Sequence, residues 1–174
     1  MSGEDRMKSV MEVRKACRHF AMLYFNFCRA LVETLGEDEA FPLARRAVFG
    51  LSIDRTDRMR RRALDEGLGT TLESFHAVND LANLAWEGWD PSMNEARCPY
   101  AQAWFEYFEE FPWFRRFARM FCDVTDATNI ENFTRDTSHR LTKSLLWGDQ
   151  SCEREYFPSD DVRNGKLTHG SRSE

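Results

Sequence analysis

No run of this 174-residue chain is apolar for long enough to cross a membrane. Its most apolar stretch, Phe20 to Val32, is interrupted by Asn26 and Arg29 and falls short of the roughly 20 residues a span requires. The opening Met1-Ser2-Gly3-Glu4-Asp5-Arg6 is charged and no uninterrupted apolar run follows it, so a secretory leader is not expected and a cytoplasmic placement is. There is no glycine-rich phosphate loop, no Gly-x-Ser-x-Gly elbow and no His-Glu-x-x-His. Basic residues are not interleaved with the aromatics, and the formal net charge is −5, which argues against nucleic acid and anionic membranes as partners. The one basic run, Arg58, Arg60, Arg61 and Arg62, reads as a solvated helix face. No pair among the five cysteines has metal-finger spacing, and in a reducing compartment they read as free thiols, metal ligands or catalytic groups.

What the chain does have is length for a core, a clear helical period and many rings, with 14 Phe and 5 Trp. Val10, Val13, Cys17, Phe20, Tyr24, Phe27, Cys28, Leu31 and Leu35 recur at steps of three and four, predicting a first helix with Cys17 and Cys28 in its buried stripe. A second helix is expected from Pro42 to Leu64, and a shorter one capped by Thr70 or Thr71 and carrying His76. Trp86 to Pro91 marks a change of character, after which a short strand at Asn94 to Cys98, a helix from Tyr100 to Phe108 and another from Pro112 are expected. Arg140 to Trp147 and Cys152 to Phe157, joined by Gly148-Asp149-Gln150-Ser151, read as a β-hairpin. The fold class expected is α+β, an N-terminal helical layer packed on a small, mostly antiparallel sheet ending in that hairpin. It forms one domain over residues 1–157 with a disordered polar tail over 158–174. The aromatic excess leaves room for a homodimer interface.

Three thiols lie at expected element ends. Cys98 precedes Pro99 and would be the N-cap of a helix, facing unsatisfied backbone donors that stabilise thiolate. Cys122 would end a helix with Asp126 one turn on, Asp123 being nearer but pointing elsewhere, and Cys152 would open the last strand. Two arrangements compete. In one, Cys98 is a nucleophile and His76 or an acidic residue such as Asp126 or Asp149 moves protons. In the other, Cys98, Cys122 and Cys152 bind a divalent metal, zinc first, with His76 or Asp126 completing the shell. His76 has a plainer reading as a hydrogen-bonded residue at a helix interface, and cysteines at these places can also simply pack.

Taken in order, Cys98-Pro99-Tyr100-Ala101-Gln102-Ala103-Trp104, Phe121-Cys122 with Asp126, Asn132-Phe133, Leu141 to Asp149 and Cys152-Glu153 resemble the L-2-amino-thiazoline-4-carboxylic acid hydrolase family. The likeness spans roughly Ala96 to Phe157; the chain departs from the family in its polar Glu153-Arg154-Glu155 strand and in lacking a proline after Asn132-Phe133. It implies hydrolytic opening of a cyclic amidine at a C–N bond, by a thiolate at Cys98 or by metal-bound hydroxide, with Arg97, Arg140 and Lys143 as candidates to receive a substrate carboxylate. The terminal hairpin is also similar to small-molecule-sensing domains whose cysteines hold zinc. That likeness gives the alternative, an accessory module with a structural zinc and no catalysis.

Overall fold

The computed structural model describes residues 3–80 and 98–159. Its elements are α1 (Gly3–Leu35), α2 (Glu37–Asp65), α3 (Leu72–Ala77), α4 (Pro99–Phe105), α5 (Phe114–Thr134), β1 (Thr137–Lys143), a 3-10 turn (Leu145–Trp147) and β2 (Glu153–Pro158). The class is α+β, with helices and, among the described residues, one two-stranded antiparallel sheet. The chain divides into two compact units, Met1–Pro42 with Leu81–Ala118, and Leu43–Asp80 with Arg119–Glu174. Expectations at Trp86 to Pro91, on the strand Asn94 to Cys98 except for Cys98 itself, and on the tail beyond Ser159 lie outside the described residues.

The first unit is built from rings. The buried stripe of α1 is Val10, Arg14, Cys17, Ala21, Phe25 and Cys28, so both cysteines are buried as the period predicts. Phe27, placed in that stripe by sequence, is instead 64% exposed, and Phe25 is 2% exposed. The two-residue difference is about 200° around a helix, so a ring counted on the wrong phase lands on the opposite side. Phe25 stacks on Tyr107 at 3.8 Å between centroids and meets Phe114 edge-on at 4.9 Å. Trp104, fully buried, donates its indole N–H to the Ala21 carbonyl at 3.0 Å, so its one polar atom is satisfied inside an apolar site. Phe114, Phe117 and Ala118 are buried side by side on α5 as expected.

In the second unit Met59, Ala63, Phe75, Val78, Ile130 and Phe133 form the apolar centre, with Leu72 against it. Asp65 ends α2 and Gly67 takes φ 72°, after which Thr71 caps α3 by accepting the Ser74 amide at 3.1 Å. The start of α2 lies earlier than expected. Glu37, Asp38 and Glu39 form its first turn, and Pro42 sits inside the helix. Carboxylates complement the positive helix start and outweigh the boundary signal a proline gives.

At the far end α5 runs on to Thr134, where Arg135 adopts φ 69° and turns the chain into β1. β1 and β2 pair antiparallel with Thr137 opposite Pro158, His139 opposite Tyr156 and Leu141 opposite Arg154. The expected hairpin is present, but its connection is longer than four residues. Leu145-Leu146-Trp147 leaves the strand and coils into the 3-10 turn, Ser144 capping it by accepting the Leu146 amide at 3.2 Å. The Asp149 carboxylate closes the same turn by accepting the Ser144 amide at 2.9 Å. An apolar run reads the same as strand or buried turn when only its hydrophobicity is visible.

Candidate functional site

The second unit gathers titratable groups where α5 meets the hairpin. Steps of three and four along α5 put Arg119, Cys122, Asp123, Asp126 and Ile130 on one broad side. The strands contribute by alternation. His139 and Leu141 share a face of β1, and Tyr156 and Arg154 stand opposite them on β2. Side-chain bonds tie the elements: the Arg154 guanidinium donates to Asp126 Oδ2 at 2.8 Å, and Arg119 on α5 donates to the Leu146 carbonyl at 3.1 Å. Asp126 holds the Arg154 guanidinium above its ordinary pKa despite partial burial.

Around this pair the environment moves protonation in opposite directions for different groups. Burial, reinforced by the Asp126 carboxylate, pushes the Asp123 carboxyl up to about 6, with Arg119 opposing. Burial holds the His139 imidazole below its ordinary value, with Asp126 pulling it up and Arg154 pushing it down. Tyr156, whose ring lies 5.5 Å from that of His139, is raised by burial against the pull of Arg154. A carboxylic acid that keeps its proton toward neutrality and an imidazole that stays neutral, both acted on by Asp126, are a combination suited to giving and taking protons.

His139 is 2% exposed, and neither ring nitrogen has a hydrogen-bond partner among the described residues. Thr125 Oγ1 and Asn129 Oδ1, one turn apart on α5, are buried in the same condition among those residues. An unsatisfied buried polar atom costs about 1–3 kcal/mol, so such groups usually have a partner to recover.

The expected site residues fall in different places. Cys98 is the N-cap of α4 with Pro99 in the first helical turn, as the sequence suggests, but its side chain makes no capping hydrogen bond, and it belongs to the first unit. Arg97 lies outside the described residues. Cys122 is not at a helix end but mid-helix on α5, half-buried, and the continuing helix keeps Asp126 one turn on. Cys152 is half-buried just before β2. His76 is exposed on α3 against the ring of its neighbour Phe75. Arg140 and Lys143 pair across the hairpin with Glu155 and Glu153, each at 2.8 Å.

The metal expectation is corrected. Among the described residues no group of three or more His, Cys, Asp or Glu side chains is arranged to hold a metal ion. This removes Cys98, Cys122 and Cys152 as a zinc centre, both for hydroxide delivery and for the structural zinc of the sensing alternative. The elements set Cys122 within α5, Cys152 just before β2 and Cys98 at the start of α4. Four-coordinate sites need their ligands converging at about 2 Å from one point.

Sequence reasoning missed Asp123, His139, Arg154 and Tyr156. Asp123 was legible in principle, since a helix continued past Cys122 brings residues three apart together. His139 and Tyr156 are neighbours only through strand register, which the run Thr137 to Lys143 alone does not supply.

No family model matches the chain, and no curated protein or solved structure matches it either. The site is therefore read from its own chemistry.

Proposed function

We propose that the chain is a hydrolase acting on a small cyclic amidine, with proton transfer at the α5–hairpin face of the second unit. One observation carries the reading, the buried His139 imidazole with both nitrogens lacking a partner among the described residues, beside the Asp126–Arg154 pair. The sequence likeness to the thiazoline hydrolases supplies the substrate class and the electrophilic carbon.

In this scheme neutral His139 takes a proton from water as the water oxygen bonds to the amidine carbon. Asp123, a carboxylic acid up to about pH 6, gives a proton to the departing ring nitrogen as the C–N bond breaks. The water oxygen gives its second proton through solvent to the amidine nitrogen as it becomes the product carbonyl, and solvent returns the first proton from His139 to Asp123. Arg154 holds Asp126 in place. The thiols of Cys122 and Cys152 are an alternative nucleophile on the same unit.

The test is turnover of 2-amino-thiazoline-4-carboxylate and of simpler 2-amino-thiazolines, followed by chromatography of the ring-opened product. His139→Gln is expected to lose at least about a hundredfold in kcat, the scale of a general base. Wild-type activity in His139→Gln, or no turnover of any cyclic amidine by the intact protein, would overturn the reading.

A further inference from the structure

We infer that His139 is a proton-operated release for the clasp that holds the hairpin to α5. The clasp is the ion pair of Arg154 on Asp126 at 2.8 Å, with the Arg154 side chain 39% and the Asp126 side chain 26% exposed, and it works alongside the Arg119 bond to the Leu146 carbonyl at 3.1 Å in the hairpin connection. His139 is diagonal to Arg154 in the strand register. The ring is 2% exposed, stands opposite Tyr156 in the hairpin register, and feels both members of the pair. Neither nitrogen has a partner among the described residues that would fix a proton in place.

The groups facing this imidazole define what a proton does there. From α5 they are Asp126 and, through it, Asp123, which Arg119 partly offsets. From β2 they are Arg154 and the Tyr156 ring, with Cys152 acting on Arg154. A neutral imidazole leaves Arg154 as the main cation on Asp126. An imidazolium repels the guanidinium and competes with it for the same carboxylate. The cation that loses is Arg154, since its half-exposed head can turn to water and the buried His139 cannot. Release loosens β2, which among the described residues pairs with β1 alone.

Direction follows by linkage. His139 titrates below its unfolded value, so the unfolded or opened hairpin takes the proton first. The stability of the closed form is whole above about pH 6.5 and falls as the pH drops through that value. Asp123 works the other way, because the folded form takes up its proton near 6. That uptake removes a negative neighbour and leaves Asp126 as the anion the two cations contest. The device does not depend on hydrolysis, because it concerns how the hairpin is held.

The test is amide hydrogen exchange of β2, read at Arg154 and Tyr156 from about pH 7.5 to about pH 5 and corrected for intrinsic exchange, alongside NMR titration of the His139 ring. The intact protein is expected to lose at least about tenfold in β2 protection over this range, with a midpoint that follows the ring titration. His139→Gln should remove the pH-dependent loss, and Asp123→Asn should keep it. Arg154→Met should leave β2 open and insensitive to pH. Full protection in the intact protein down to about pH 5, or an unchanged pH profile in His139→Gln, overturns the inference. Should His139→Gln not fold, a pH-dependent loss persisting in Arg154→Met overturns it equally.

Discussion

The two units hide very different groups. In the first, the largest buried side chains are Trp104, Phe114 and Phe117, and the one polar atom of Trp104 is met by a backbone carbonyl. In the second, Ser52, Thr56, Asn132, Thr134, Ser138, His139 and Ser144 are buried beside a modest apolar centre. Many of these are satisfied. Asn132 donates to Thr56 at 2.7 Å and to Asp57 at 2.9 Å, and Arg60 donates to its carbonyl at 3.1 Å. The contrast teaches where to look for chemistry. Ring packing is close to indifferent to protons, whereas a unit that buries polar groups must meet each one, and those left over point to a site.

The largest test of this contrast is Trp104→Ala in the first unit. It should cost about 3–5 kcal/mol by denaturant unfolding, since it opens a cavity among Tyr24, Tyr100 and Phe114. The loss should not vary with pH, and a pH-dependent loss would show that the first unit is not held by rings alone.

A smaller effect of opposite sign is expected from Asp123→Asn in the second unit. The folded carboxyl titrates near 6 against 3.8 for a free one, so ionising it costs stability above about pH 6 and the cost fades as the pH falls toward 3.8. Discounted for partial exposure, the substitution should stabilise by on the order of 1–2 kcal/mol at about pH 8 and by nothing at about pH 4. It should also slow amidine turnover, a gain in stability set against a loss of function. Equal stabilisation at both pH values would show that Asp123 is not the strained carboxyl described. Smallest of all, Lys143→Ala removes an exposed cross-strand pair with Glu153 and should leave the unfolding midpoint unchanged. A clear shift there would mean that the outer face of the hairpin carries more than solvated charge.

Much of the first unit was legible from spacing. The α1 period put Cys17 and Cys28 inside, where burial raises both thiols and carries Cys28 up to about 12, away from reactivity. Ring positions were less secure, because Phe25 and Phe27 both fit a loose three-four pattern and only packing against Tyr107 and Phe114 chooses between them. In the second unit the hairpin and Asp126 were legible, and the partners of Asp126 were not. Arg154 is 28 residues away and His139 is brought in by the pairing of β1 with β2. Cys98, the residue with the strongest local signature, kept its N-cap place and yet lies in the other unit from Asp126 and His76.

By itself the sequence determined what is local: the buried place of Cys17 and Cys28 on α1, a glycine after α2, a threonine cap at 70 or 71, the turn chemistry of Asp149 and the presence of a hairpin. These follow from steric and hydrogen-bonding preferences acting over a few residues. Only the tertiary structure decided that the cysteines do not converge on a metal, and that Asp123, Asp126, His139, Arg154 and Tyr156 act on one another. The protonation of Asp123, His139 and Tyr156 is set by burial and by charges that folding brings near, and neither exists until the chain has folded.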